Sequence, residues 1–372
     1  MAYAKALAIA LLVVAGVIVA SYLIAPLWEV EQSPMSIHPG ITVREFRDAN
    51  GLSNRQMGYF YPGEDIKAIL DQPMFKGKQF ENMTVSQMSI WLSFVREDSK
   101  NWQKIVIKFA LWLLFIGTAF FLLRKSLITA AYRKWFYLAT TVIFGVILGA
   151  DPSPMGTVKD AIVRLATRHD VFIPRLIAFG GFILLTIVAN KFICSWGCQL
   201  GTLQDFLFRL GRDSADRKGA ILQFKLPFAL TNSVRVAFFA ALSAAASIYA
   251  FDLVQWIDPF KVFNPAVLAL SGAIFLELLL VASLFVYRPW CHLFCPFGLV
   301  GWLAEKVSIF RIRVDRQKCI SCGKCAAVCP SHVMGAILRR DRKTIPDCFS
   351  CGTCMETCPV KAISFSAGAE RK

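Results

Sequence analysis

Histidine is scarce in this chain of 372 residues: only His38, His169, His292 and His332, none inside an apolar run. A b-type haem held by two histidines needs a facing pair on such runs, and the C-x-x-C-H run of c-type attachment is missing, which argues against haem. Acidic residues are also few, 25 against 41 Lys and Arg, giving a formal charge of +16. The excess of base lies between and after apolar runs, which is the positive-inside pattern of membrane loops, so nucleic acid is not an expected partner. Charged residues reach only 18%, while hydrophobic residues make up 56% and Phe alone numbers 31. That balance excludes an ordinary soluble domain. A small secreted disulfide scaffold is excluded too, because the chain is long and apolar.

Six apolar segments approach the ~20 residues that a bilayer crossing takes: 4–28, 105–123, 135–150, 174–193, 234–254 and 266–286. Lys5 precedes the first as in a signal peptide, but the run is long and no small-x-small cleavage site follows, so it reads as a retained anchor. Three basic stretches fall on one side: Arg124 to Lys134, Arg209 to Lys225, and the tail from Lys306 to Lys318. The opposite loops, 151–173 and 252–261, are nearly charge-balanced. The expected topology is multi-pass with both termini cytoplasmic. Residues 29–101 then lie in the periplasm. Weak helical periodicity at 41–50 and 83–95 suggests a cap of short helices there. Its methionines Met35, Met57, Met74, Met83 and Met88 lack regular spacing and read as core rather than as a copper site.

What is abundant is cysteine, twelve residues, each part of a motif. Cys319-Ile-Ser-Cys322-Gly-Lys-Cys325-Ala-Ala-Val-Cys329-Pro330 recurs as Cys348-Phe-Ser-Cys351-Gly-Thr-Cys354-Met-Glu-Thr-Cys358-Pro359. This is the run of two-cluster ferredoxins, in which the fourth cysteine serves the other cluster. One [4Fe–4S] cluster is thus expected on Cys319, Cys322, Cys325 and Cys358, a second on Cys348, Cys351, Cys354 and Cys329. Zinc sites show separated C-x2-C pairs instead. Two C-x3-C pairs, Cys194/Cys198 and Cys291/Cys295, stand further upstream. Each follows an Asp-Pro loop (Asp151, Asp258) and an apolar segment, so the unit reads as a parallel internal repeat. Spacing of i, i+4 would set both thiols of a pair on one helical face. Four such thiols suit a further metal centre or redox dithiols, and a stable disulfide is disfavoured on the reducing side.

From Trp135 to Phe365 the sequence resembles the membrane polyferredoxins of NapH/NosR type. The resemblance rests on the two Asp-Pro loops, on Phe192-Ile-Cys-Ser-Trp-Gly-Cys198, on Trp290-Cys-His-Leu-Phe-Cys-Pro-Phe-Gly298 and on Asp315-Arg-Gln-Lys-Cys319. It implies electron carriage from membrane quinol towards periplasmic reductases, with ferredoxin, cytochrome or reductase subunits as partners. Gln199 stands where the family has Pro after the first pair, so the two pairs are inequivalent. The flavin-attachment signature Ser/Thr-Gly-Ala-Thr is missing, so no covalent flavin is expected. Asp151, Asp258 and His169 are weak candidates to take a proton from quinol, although Asp-Pro is also a common helix or turn start. His292, between two thiols, is read as a solvated loop residue or, less favoured, a ligand.

The expectation is an all-α polytopic membrane protein of about six spans carrying a small α+β ferredoxin-like module. Its parts are an anchor (1–28), a periplasmic region (29–103), a membrane domain (104–302) and a cytoplasmic tail (303–372). The rival reading is an accessory factor supplying reducing equivalents for the assembly of a metal centre such as copper, whose members carry similar cysteine pairs.

Overall fold

The computed structural model describes residues 2–28, 36, 38, 40–58, 60–61, 63–74, 102–150, 153–168, 172–213, 216, 221–341 and 347–368. Helix α1 (Ala2–Trp28) opens the chain. Three short helices follow, α2 (Val43–Ala49), α3 (Asn54–Met57) and α4 (Ile66–Ile69). Reciprocal capping boxes, Thr42 with Glu45 and Ser53 with Gln56, start the first two by satisfying backbone N–H groups that have no partner within the helix. Phe46, Met57, Phe60 and Met74 are fully buried and form the core of this small unit. Met57 and Met74 are therefore packing residues; Met35, Met83, Met88 and the segment 83–95 lie outside the described residues.

The main body runs through α5 (Trp102–Arg124), α6 (Ala130–Ala139), α7 (Pro154–Arg168) and α8 (Ile173–Ala189). It continues with α9 (Phe192–Trp196), α10 (Gln199–Leu210), α11 (Phe228–Tyr249), α12 (Leu270–Phe285), α13 (Pro289–Leu293) and α14 (Pro296–Glu305). Among the described residues, three helices are long and apolar enough to cross a membrane, over Lys5–Ile24, Ile105–Arg124 and Phe228–Tyr249. Helices α8 and α12 are apolar but shorter. Helix α8 ends at Ala189 because Asn190 turns to φ +61°; α11 starts directly after Pro227, six residues upstream of the expected start, and stops at Ala250, φ +48°.

The segment 135–150 is not a single α-helix. Helix α6 widens into a π-helix over Thr140–Ile147. Thr140 donates both to Phe136 O at 3.0 Å and to Trp196 O at 2.9 Å, and Thr141 bonds Tyr137 O at 3.0 Å. Hydroxyls that compete for the carbonyls of the preceding turn loosen the helical ladder, and the wider turn carries that segment onto the cysteine-bearing loop. Helix α7 fills a connection that charge balance alone suggests is a loop.

The tail pairs β1 (Arg311–Val314) antiparallel with β2 (Ile363–Ser366), in the register Arg311↔Ser366 to Val314↔Ile363. Between them lie α15 (Lys324–Val328), α16 (Val333–Arg339) and α17 (Thr353–Thr357). This α+β module is joined to the helices by an aromatic contact. Phe120 of α5 meets Phe192, Phe310 and Phe365 with ring centroids 5.8, 5.1 and 5.5 Å apart, so β2 and α9 share one hydrophobic core.

Candidate iron–sulfur sites

Both cysteine runs of the tail fold alike. The Ser before the second cysteine adopts φ > 0 (Ser321 +53°, Ser350 +52°), and so does the Gly after it (Gly323 +71°, Gly352 +82°). Glycine takes that conformation freely, whereas serine does so at a cost of about 1 kcal/mol. The alternation bends the chain tightly around a point and turns N–H groups towards the sulfurs. Ser350 N donates to Cys348 Sγ at 3.5 Å and Ala362 N to Cys358 Sγ at 3.2 Å. A five-residue helix then presents the third cysteine, and the fourth is its C-terminal cap, directed away from its own run.

Two cavities result. One is lined by Cys319, Cys322, Cys325 and Cys358 with Val314, Leu338 and Ile363. The other is lined by Cys348, Cys351, Cys354 and Cys329 with Val333, Met334, Ile337 and Phe349. Four thiols per cavity, backbone donors facing sulfur and apolar walls fit a [4Fe–4S] cluster in each.

Their surroundings differ. Around the second cavity, Trp196 Nε1 donates to Ser350 O at 3.2 Å, Arg133 Nε to Cys351 O at 2.8 Å and Arg209 to Thr353 Oγ1 at 3.1 Å. Phe349 packs on His292 with centroids 5.0 Å apart, and the Lys191 and Arg288 cations each lie 5.0 Å from its ring. The first cavity opens outward, with Cys322 and Ile320 exposed.

The four upstream thiols are buried on one side of the second cavity. They do not share helical faces, contrary to the i, i+4 expectation. Cys194 lies in α9, the helix ends at Gly197, and Cys198 caps the N-terminus of α10. Cys291 lies in α13, and Cys295 caps α14, where Pro296 prevents continuation. Burial raises the pKa of Cys194 and Cys291, and proximity to Cys198 and Cys295 raises both further, so the four form one group. Among the described residues no three His, Cys, Asp or Glu side chains close on a point as a single metal ion requires. Cys291 Sγ lies 3.7 Å from Gln204 Oε1, and Arg288 donates to Cys194 O at 2.5 Å.

Sequence pattern missed a buried ionic layer between these thiols and the tail. Asp205 accepts from Tyr287 at 3.0 Å, Arg209 at 2.7 Å and Arg288 at 2.5 Å. Asp216 pairs with Arg133, Arg209 and Arg212. Asp347 pairs with Lys191 and Arg235. Although burial opposes its ionisation, these two cations hold Asp347 well below the usual carboxylate range. Glu305 is pushed up to about 8 by burial, against the pull of Lys191 and with Asp347 adding to the rise, and it accepts from Cys348 N at 2.8 Å. Arg133 and Arg209, two members of the basic stretches, are thus fully buried partners rather than solvated loop charges.

His292 is buried too, which corrects the solvated-loop reading; burial lowers its pKa to about 4, and its Nδ1 lies 3.2 Å from Arg288 O. Asp258 caps the turn Pro259–Phe263 by accepting from Phe260 N at 2.9 Å. Asp151 and His169 lie outside the described residues.

Three segments match known family models: 171–218 a 4Fe-4S binding domain, 290–333 a 4Fe-4S dicluster domain, and 312–365 another 4Fe-4S dicluster domain. The first spans Cys194 and Cys198, and the second joins Cys291 and Cys295 to the first ferredoxin run. YccM of Escherichia coli K12, named for electron transport, is 33% identical over 182 residues, 46% of this chain and 49% of that protein. The ferredoxin-type protein NapH of the same organism is 27% identical over 186 residues, 48% of this chain and 62% of NapH. NapH of Haemophilus influenzae is 26% identical over 211 residues, 55% of this chain and 71% of NapH.

The chain is a homologue of the NapH-type ferredoxin proteins. Its cysteine-bearing segments match 4Fe-4S binding and dicluster models, and it is similar over about half its length to NapH and YccM. The chain spans about half the length of YccM and about three fifths of the Escherichia coli NapH. No solved structure matches it.

Proposed function

We propose that this protein is a multi-pass protein of the bacterial inner membrane, with both termini cytoplasmic, that relays electrons between the quinol pool and a periplasmic reductase system through partner redox subunits. Its parts are the anchor 1–28, the periplasmic region 29–103, the membrane domain 104–302 and the tail 303–372. The tail holds two [4Fe–4S] clusters, on Cys319, Cys322, Cys325 and Cys358 and on Cys348, Cys351, Cys354 and Cys329. Cys194, Cys198, Cys291 and Cys295 form a further redox site, and the two copies of the cysteine unit are a parallel repeat. The observation that carries the reading is the seal between the second cavity and the four-thiol site, made by Trp196, Phe349 and His292.

The clusters supply one-electron storage. The chain's part is to exclude water from the inner cavity and to set its charge. Arg133 donates to Cys351 O and Arg209 to Thr353 Oγ1 at the edge of that cavity, and cations so placed favour the more negative, reduced state of a cluster there, which moves its potential towards that of quinol. That offset addresses the otherwise awkward match between low-potential clusters and a quinol donor.

Four buried thiols are soft ligands, and this favours one second reading: an accessory factor that delivers reducing equivalents during assembly of a metal centre such as copper. Anaerobic iron, copper and sulfide analysis with EPR, on wild type and on a Cys194/Cys198/Cys291/Cys295→Ser variant, separates the readings. The two-cluster tail predicts about eight irons in both proteins. Extra iron lost in the variant would make the thiols a third cluster, copper lost in the variant would favour the accessory role, and far fewer than eight irons in wild type would sink the proposal.

A further inference from the structure

The two tail cavities differ in access, and the outer one carries a distinctive rim. Ile320 is 62% and Val360 37% exposed, and Cys322 between them is exposed as well. The flanking residues are basic. Lys318 precedes Cys319 with its side chain 64% exposed, Lys324 sits between Gly323 and Cys325, and Lys361 follows Val360; all three are exposed.

Three of the five described acids of the tail are engaged away from this rim, and a fourth, the half-buried Asp341, follows α16. Glu305 and Asp347 are buried in the ionic layer, and Glu356 pairs with Arg133 at 3.0 Å. Asp315 is close: it is only 20% exposed, accepts from Gln317 N at 3.1 Å and lies 4.0 Å from Lys318 Nζ, which still leaves that lysine's side chain 64% exposed. The result is a small apolar centre over a cysteine-lined cavity, ringed by lysines.

We propose that this face docks an acidic, soluble one-electron carrier protein; the proposal rests on reading the cavity beneath it as a cluster site. The exposed Ile320 and Val360 supply the dry contact at the centre, and the lysine ring supplies steering and orientation for a partner of opposite sign. A second copy of this chain presents the same positive ring and is repelled. The exchange is one electron given up by the reduced carrier and taken up in the cavity, with no bond made or broken. Inward transfer then has its next station in the second cavity.

The test uses the iron-replete full chain in nanodiscs of zwitterionic lipid, with an acidic [2Fe–2S] ferredoxin as probe and the basic carrier cytochrome c as control. Equilibrium binding is measured by interferometry at about 50 and 200 mM salt, where screening separates rim electrostatics from apolar contact. The ferredoxin is expected to bind, losing about ten-fold in affinity over that salt range. The variant Lys318→Glu/Lys324→Glu/Lys361→Glu should bind at least about ten-fold more weakly, with iron content and EPR signals unchanged. Ile320→Ser should weaken binding at both salt concentrations, and Lys67→Glu, in the small unit of α2 to α4, should change nothing. Equal binding by the triple variant, equal binding of cytochrome c, or displacement of the ferredoxin by anionic lipid placed in the nanodisc would each overturn the proposal, the last by making the face a lipid contact. Missing iron in the wild type would defeat the cluster reading itself, whereas an iron-replete protein that ignores the ferredoxin defeats only the docking.

Discussion

A Cβ on Gly201 would lie 2.5 Å from the Cys194 carbonyl oxygen, and one on Gly298 would lie 2.6 Å from that of Cys291. Real Cβ atoms do not approach backbone so closely, so each C-x3-C turn needs glycine three residues after its second cysteine. The short helix carrying the first thiol can then fold down onto the helix capped by the second. Gly201→Ala and Gly298→Ala should each destabilise the membrane domain by about 1–3 kcal/mol through forced backbone shifts. The buried thiols should become reactive to maleimide. Gly181→Ala, in α8 with nothing within 4 Å of its added carbon, should be neutral in both assays. Melting temperatures unchanged at Gly201 and Gly298 would mean that the turns relax freely, and the glycine requirement would fall.

Helix α10 is the element on which the site depends, and little of its role shows locally in the sequence. Asp205 and Arg209, one turn apart on it, face Tyr287 and Arg288, Asp216 and Thr353 from three other parts of the chain. Arg209→Met should lower the midpoint potential of the inner cluster, because a buried cation that favours the reduced state is removed. It should also cost about 3–5 kcal/mol by leaving Asp205 and Asp216 short of a partner. EPR-monitored redox titration checks the first effect, and an unchanged potential would confine Arg209 to a structural role. Three of the six apolar segments were legible as helices long and apolar enough to cross a membrane, because such a crossing demands an uninterrupted run. The ferredoxin runs were legible because cluster geometry demands short fixed spacings. The ionic layer was not, since Asp205 and Arg288 lie 83 residues apart and Arg133 and Glu356 223 apart, and ion pairs at such separations leave no periodic trace. The helix break within each C-x3-C pair is equally hidden at the first pair, where Gln199 stands; at the second, Pro296 signals it.

Across the whole molecule, the tail stands apart in what holds it together. Among its described residues the helices are five, seven and five residues long and the sheet is two strands of four. Helices so short are unstable alone, and a two-stranded sheet adds little. The ionic layer and the Phe120–Phe365 contact anchor one side of the module, and Lys225 and Arg212 hold the carbonyls of Ala326, Ala327 and Val328 in α15, while the rim of the first cavity is exposed. Iron bound by eight cysteines would supply the missing cross-links, each cavity tying one run to the last cysteine of the other. Anaerobic removal of iron with a chelator should therefore abolish amide-exchange protection over residues 311–366, most completely around Cys319 to Cys325. Protection in α5, α8, α11 and α12 should survive, because those helices pack in the hydrophobic core without the metal. Retained protection of the tail in the iron-free protein would show that its own small core and the seam suffice. The clusters would then be passengers in a preformed module, free to be tuned for potential without regard to stability.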